Sequence, residues 1–195
     1  EAVEITNFFV PKNEIVVTTK AKVKKWSDTY KTKREPIDLD IPIAVLIDRY
    51  SASASEIVAG SLQDLDRAVI IGERSFGKGL VQRYRKLTYG TQLKLTISKY
   101  YTPSGRCIQE LDYKHKDKNG EVIKFSDVKR NAFKTQNGRI VYDGGGIEPD
   151  IKLSTNDRTN ATDALLESEA IFQYATNFTY QNETIASTED FVLSD

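Results

Sequence analysis

Two short apolar runs constrain the fold of this chain more than any other feature. The runs are PIAVLI at residues 42–47 and AVIIG at residues 68–72, and each has the length and composition of a buried strand. Between them, apolar residues recur at helical spacing over residues 54–66, which predicts one helix. This mixture of strands and helices predicts a layered α/β domain, and 195 residues suffice for one sizeable core with an appendage.

The other elements are predicted from periodicity and from turn residues. They are a helix at 1–10, a strand at 14–24, a charged loop at 24–40, hairpin strands at 80–87 and 92–101, a polar excursion at 110–140 with a further hairpin, and a terminal helix at 160–176 followed by a frayed polar tail.

The segment DRYSASASEI, residues 48–57, lies where the first apolar strand gives way to the helix. N–H groups at the start of a helix have no intrahelical acceptor and can bind developing negative charge. Ser51, Ser53 and Ser55 are all candidate nucleophiles here, and each could instead cap the helix or lie in a loop. If Ser53 is the nucleophile, the N–H of Ala54 is a candidate donor to an oxyanion.

A lysine that could act as a base follows in RSFGKGLVQ, residues 74–82. A serine hydroxyl needs a partner that takes its proton, and a neutral lysine can do so when it is desolvated, whereas an arginine cannot. Serine–lysine pairs are a known form of this chemistry. Gly77 and Gly79 would let the backbone turn closely around Lys78. The alternative for Lys78 is a solvated surface lysine.

Four segments resemble the carboxyl-terminal processing, or tail-specific, protease family. They are SASASEIVAGSLQD at 51–64, IGERSFGKGLVQ at 71–82, YYTPSGR at 100–106 and GGIEPD at 145–150, and the resemblance extends over about residues 1–155. It implies that Ser53 is the nucleophile, that Lys78 is the general base, that Gln82 holds the lysine and that Ala54 supplies one oxyanion N–H. It implies no metal and no cofactor.

The resemblance also implies a fold and a domain organisation. Residues 1–155 would be the C-terminal portion of a crotonase-like (ClpP/crotonase) layered core of ββα units, incomplete at its N-terminus. Residues 156–195, beyond the resemblance, are interpreted as a C-terminal helical extension and tail. In the family, a glycine-rich turn before the first helix supplies the second oxyanion donor, and a PDZ domain lies further upstream. We therefore expect this chain alone to be weakly active or inactive, because one missing donor costs about 100-fold or more in rate. An open sheet edge would favour a homo-oligomer.

By the same resemblance, the substrates are proteins or peptides recognised at their C-terminal tail and cleaved through an acyl-enzyme. The family usually works outside the cytoplasm, so the expected location is the periplasm or cell envelope of a bacterium. The charge balance of 28 Lys and Arg against 28 Asp and Glu gives no electrostatic reason to expect nucleic acid as a partner.

Two other functions compete with proteolysis. Residues 72–78, GERSFGK, match the phosphate-binding pattern G-x-x-x-x-G-K. That motif needs Ser or Thr next and then a helix, whereas position 79 is Gly and residues 80–84 alternate like a strand, which disfavours an NTPase. The remaining alternative is a non-catalytic peptide- or ligand-binding module on the same fold.

The other reactive or charged residues are assigned lesser roles. Cys107 and His115 are the single cysteine and histidine; they lie near a lysine-rich stretch expected to be a surface loop, which disfavours a Cys–His pair or a metal site. Glu56 and Asp64 are interpreted as caps or surface charges, with support of Lys78 or its loop as the alternative. Residues 144–146, GGG, are interpreted as a structural turn.

Overall fold

The computed structural model describes residues 1–125, 130–153, 159–182, 184 and 186–187. The chain divides into two compact units, Glu1–Thr155 and Asn156–Asp195. The elements of the first unit are α1 (Ala2–Asn7), β1 (Ile15–Lys20), β2 (Asp28–Lys31), β3 (Ala44–Ile47), α2 (Ala54–Asp64), β4 (Val69–Gly72), β5 (Leu80–Lys86), β6 (Gln92–Tyr101), β7 (Leu111–Lys116), β8 (Val122–Lys124), β9 (Ala132–Lys134), β10 (Ile140–Tyr142) and β11 (Ile151–Lys152). The second unit contains α3 (Asn160–Glu167) and α4 (Ala170–Gln181).

The two apolar runs form neighbouring parallel strands. The sheet has the order β11–β4–β3, and α2 connects β3 to β4. The register pairs Ile47 with Gly72, so both strands end at the same edge of the sheet. Ser53 and Lys78 each lie six residues beyond this pair, and the two segments therefore begin side by side.

A second sheet has the order β2–β1–β6–β5, with all three pairings antiparallel. The predicted hairpin of β5 and β6 is confirmed, and β5 begins two residues after Lys78. The core between the elements contains Val10, Val17, Ile47, Ala59, Leu62, Ala68, Ile70, Tyr100, Ile108 and Ile147. Tyr100 of β6 thus reaches the same core as α2 and β4.

Several predicted boundaries were wrong. The first helix ends at Asn7 and the first strand at Lys20, both earlier than expected. The charged loop at 24–40 contains β2, whose residues are all exposed and which is held by pairing with β1 rather than by burial. The polar excursion forms two short hairpins, β7–β8 and β9–β10.

The predicted single terminal helix is also incorrect. It is broken at Glu169, whose φ of 54° lies in the left-handed region, and the second helix continues to Gln181 instead of fraying after Thr176. The part of the expected polar tail at 183, 185 and 188–195 lies outside the described residues. In the described part of the chain, no helix is both long enough and apolar enough to cross a membrane.

A buried ion pair fixes the C-terminal end of α2. Arg106, 1 % exposed, places Nη2 2.8 Å from Oδ1 of Asp64 and donates to Oε1 of Gln63 at 2.7 Å. Oδ2 of Asp64 accepts the N–H of Ser104 at 3.0 Å. The interpretation of Asp64 as a surface charge is therefore wrong, because its side chain joins the helix end to the turn that follows β6.

We predict that Asp64→Asn lowers the free energy of unfolding by about 3–5 kcal/mol, because it leaves the buried guanidinium of Arg106 without its counter-charge. Urea unfolding followed by circular dichroism measures this change. Asp28→Asn, at an exposed position of β2, is the matched control and should change stability by less than about 0.5 kcal/mol. Equal effects of the two substitutions would contradict the assigned role of the pair.

Candidate active site

Ser53 lies at the turn from β3 into α2, as the N-cap residue of the helix. Its φ of 60° and ψ of −113° are unusual for a residue with a side chain. Strained backbone of this kind is concentrated at functional sites, where the surrounding structure enforces it. Ala54 is the first residue of α2, where N–H groups have no intrahelical acceptor.

The structure separates the three candidate serines. The hydroxyl of Ser51 donates to Oδ1 of Asp48 at 3.0 Å and accepts the N–H of Asp48 at 3.1 Å, so it is engaged within its own turn. Ser55 is exposed on α2, whereas Ser53 is half-buried at the helix start. Of the three, Ser53 is the one that combines a half-buried side chain with the N-cap position of α2.

Lys78 is half-buried in the loop between β4 and β5. The glycines beside it both have positive φ, 77° at Gly77 and 61° at Gly79. A Cβ at Gly79 would lie 2.5 Å from Cβ of Gln109, and a Cβ at Gly77 would lie 2.6 Å from Cβ of Glu110. Only glycine fits this close approach. The loop is followed by strand β5 and not by the helix that a phosphate-binding motif requires, which argues against an NTPase.

The carboxylate of Glu56 joins the serine turn to the lysine loop. Glu56 is fully buried, and its two oxygens accept from five donors. The donors are N–H of Ser53 at 2.9 Å, N–H of Lys78 at 3.1 Å and O–H of Tyr100 at 3.1 Å on Oε2, and O–H of Ser75 at 2.7 Å and N–H of Gly77 at 2.6 Å on Oε1. Hydrogen bonds to a carboxylate are about twice as strong as neutral ones, so this group is a strong fixed link.

The surface-charge interpretation of Glu56 was accordingly wrong, while its role as a helix cap is confirmed by the bond from Ser53 N–H. The four other donors come from residues 75–78 and from Tyr100, which are distant in sequence. A local pattern contains no signal for such partners.

Tyr100 supplies a permanently protonated donor to this group. Burial, together with the adjacent charge of Glu56, raises the pKa of the Tyr100 phenol far above its ordinary value. The phenol therefore stays neutral across the working range of an enzyme and keeps its hydrogen bond to Oε2 of Glu56.

The side chains of Ser53 and Lys78 share no hydrogen bond within residues 1–125 and the other described segments; the two residues are joined through backbone N–H groups on Glu56. Gln82 is half-buried on β5, and its Nε2 donates to Oγ1 of Thr96 at 3.3 Å. Catalytic hydrogen bonds often tighten only when substrate is bound, so this geometry is compatible with a resting site.

Neither Cys107 nor His115 is among the five donors to Glu56. Burial raises the pKa of the Cys107 thiol, which favours the unreactive protonated form. His115 lies on β7, which was expected to be a loop, and its Nδ1 is 2.6 Å from Oδ2 of Asp112 at the surface. In the part of the chain that the structure describes, no group of three or more His, Cys, Asp or Glu side chains could hold a metal ion.

Comparison with known proteins identifies the family. The family description "Peptidase family S41" matches residues 1–118, more than half of the chain, and the chain belongs to this family. A second description, "Probable PDZ-protease, C-terminal helical domain", matches residues 161–195.

Named relatives agree with this assignment. The chain is 49% identical over 111 residues to a carboxy-terminal-processing protease of Bartonella bacilliformis, covering 56% of this chain and 25% of that protein. It is 38% identical over 109 residues to a carboxyl-terminal-processing protease of Synechocystis sp., with the same coverage of 56% and 25%. The chain thus spans about a quarter of the length of these curated relatives.

A solved structure, the photosystem II D1 C-terminal processing protease, matches with a TM-score of 0.55 and 28% identity, over 78% of this chain and 30% of that one. A structure described as "Putative S41 protease from Bacteroides fragilis NCTC 9343" matches with a TM-score of 0.53 at 13% identity. It covers 90% of this chain and 41% of that one and shows a shared fold alone. The mixed α/β architecture is therefore that of S41 proteases.

We predict that Glu56→Gln weakens the link between the two loops, because the Nε2 of glutamine cannot accept the N–H bonds that a carboxylate oxygen accepts. The amides of Gly77 and Lys78 should exchange with deuterium at least about tenfold faster than in the unmodified protein. Hydrogen exchange read by NMR measures this rate. Glu35→Gln, at an exposed side chain, is the control and should leave these amides unchanged; unchanged protection in Glu56→Gln would argue against the link.

Proposed function

We propose that the protein is a serine endopeptidase of the carboxyl-terminal processing type, with Ser53 as nucleophile and Lys78 as general base. The observation that carries the proposal is the shared carboxylate of Glu56, which binds the backbone N–H groups of both residues. Two segments separated in sequence are thereby held together at one edge of the sheet.

The proposed reaction uses each group in turn. Nζ of Lys78, in its neutral form, takes the proton of the Ser53 hydroxyl while Oγ attacks the carbonyl carbon of the scissile peptide bond. The oxyanion that forms is stabilised by the N–H of Ala54 at the start of α2. The lysine ammonium then gives its proton to the departing amine, and water hydrolyses the acyl-enzyme with Lys78 again acting as base.

Gln82 is proposed to hold the amine of Lys78 when substrate is bound. It lies four residues after the lysine at the start of β5, and its amide is engaged with Thr96 in the structure described here. In this proposal the amide oxygen of Gln82 accepts an N–H of the lysine amine.

The substrate, location and organisation are proposed by analogy with the named relatives. We propose that protein or peptide substrates are recognised at their C-terminal tail, that residues 1–155 belong to a crotonase-like catalytic core with 156–195 as a helical extension, and that the protein works outside the cytoplasm. No cofactor, metal or nucleic acid enters the mechanism, and a homo-oligomer is one expected assembly. We also propose that these 195 residues alone cleave weakly or not at all, because they span about a quarter of the length of the curated proteases they match.

We predict that Ser53→Ala and Lys78→Ala each lower kcat of the full-length protein by at least about 1,000-fold, since removing one member of a nucleophile–base unit disables the whole unit. Cleavage of a tailed protein substrate, followed by mass spectrometry, measures this loss.

Ser55→Ala is the matched control, because Ser55 is exposed and lies on α2 two residues after Ser53. It should retain nearly full activity. Full activity of Lys78→Ala would reject the dyad, and tight binding of peptides without any cleavage by the unmodified protein would favour a non-catalytic module instead.

A further inference from the structure

The glycine-rich turn at residues 144–147 packs against the segment that leads to Lys78. Ser75 and Ile147 are bonded in both directions: the N–H of Ser75 donates to the carbonyl of Ile147 at 3.1 Å, and the N–H of Ile147 donates to Oγ of Ser75 at 2.7 Å. Ser75 is 6% exposed and Ile147 is fully buried, so water does not compete for these bonds.

The bond from Ile147 fixes the direction of the Ser75 hydroxyl. A hydroxyl group has one proton, and an incoming N–H occupies one of its acceptor positions. The Ser75 proton therefore points to Oε1 of Glu56, 2.7 Å away. A continuous line of hydrogen bonds runs from the turn, through Ser75, to the carboxylate that holds Ser53 and Lys78.

The backbone of Gly146 lies so close to Ser75 that one added carbon atom, the Cβ of an alanine, would collide with it. Gly146 has a φ of 79°, and a Cβ built on it would lie 2.4 Å from the carbonyl oxygen of Ser75 and 2.8 Å from its Oγ. A Cβ on Gly77 would lie 2.9 Å from the N of Gly146. A side chain at Gly146 would therefore push the lysine loop away from the turn.

The turn itself is anchored on its other side, so a clash at Gly146 cannot be relieved by movement of the turn alone. The N–H groups of Gly144 and Gly146 donate to the carbonyls of Cys107 and Ile108, each at 2.9 Å. Beyond the turn, the carbonyl of Glu148 accepts from Nε2 of Gln63 on α2 at 2.9 Å. The turn is thus bound to the core on both flanks.

We propose that the turn Gly144–Ile147 is a positioning element for Lys78, acting through Ser75 and Glu56 to set the place of the lysine backbone relative to Ser53. This inference rests on the proposed function, because it assigns the turn to the same site. The sequence alone assigns residues 144–146 only a structural role, and the proposal adds a role in catalysis. A small shift of the lysine loop would reduce the rate of the chemical step without altering how substrate binds. Misplacement of a catalytic group by about 1 Å costs on the order of 100-fold in rate.

The test compares Gly146→Ala with Gly138→Ala in the full-length protein. Gly138 also has a positive φ, 87°, but a Cβ there meets nothing within 4 Å. Both variants place alanine at a position with positive φ, so the backbone strain is similar. Only the alanine at 146 would also collide with Ser75. The measurements are kcat and KM for a tailed peptide, and the rate at which a p-nitrophenyl ester acylates Ser53.

We expect Gly146→Ala to lower kcat and the acylation rate at least about tenfold while KM stays within about twofold, and Gly138→Ala to leave all three unchanged. A folded Gly146→Ala with the kinetics of Gly138→Ala would overturn the proposal. So would a raised KM at constant kcat, which would assign the turn to substrate binding.

Ser75 provides a second test if Gly146→Ala does not fold. Ser75→Ala removes the hydroxyl that connects Ile147 to Glu56, and Ser75→Thr retains a hydroxyl. Loss of kcat in Ser75→Ala with recovery in Ser75→Thr supports the proposal, and unchanged kcat in Ser75→Ala overturns it. Ser53→Ala in the same assay distinguishes failure of the proposed function from failure of the positioning role. Cleavage by Ser53→Ala would contradict the proposed function. An inactive Ser53→Ala beside fully active Gly146→Ala and Ser75→Ala would contradict the positioning role alone.

Discussion

The carboxylate of Glu56 occupies the point at which the serine turn, the lysine loop and β6 meet, and a charged group is costly to bury unless it is fully bonded. Five donors from three parts of the chain satisfy its two oxygens. A hydrogen bond to a carboxylate is stronger than one to a neutral acceptor. Moving any one segment away would leave the buried carboxylate partly unpaired, which costs free energy. The segments are therefore stabilised together and not one by one.

The sheet places these segments within reach of the carboxylate. Parallel pairing of β3 and β4 brings the ends of both strands, Ile47 and Gly72, to one edge, and α2 starts there with Glu56 in its first turn. At its other end α2 is fixed by the buried contact of Asp64 with Arg106. Because the helix is held at both ends, the position of its N-cap residue Ser53 is fixed relative to the ends of β3 and β4.

The parts of this arrangement that could be predicted are those with a local signature. The apolar runs, the helical spacing between them and the periodicity and turn residues of 80–101 are local, and strands β3, β4, β5 and β6 and helix α2 follow from them. Strand β2 has no apolar alternation and exists through pairing with β1. The partners of Glu56 and the contact between Ser75 and Ile147 depend on tertiary packing, which no spacing rule contains.

Backbone rather than side-chain bonds hold the two candidate catalytic residues, and this has a consequence for how the site can be dissected. Ser53 and Lys78 are bound to Glu56 through their N–H groups, and the loop around Lys78 is shaped by Gly77 and Gly79. Replacing the side chain of Lys78 therefore leaves the bonds that place its backbone intact. A loss of activity in such a variant can be assigned to the missing amine, whereas a change at Glu56 alters the positions of both loops at once.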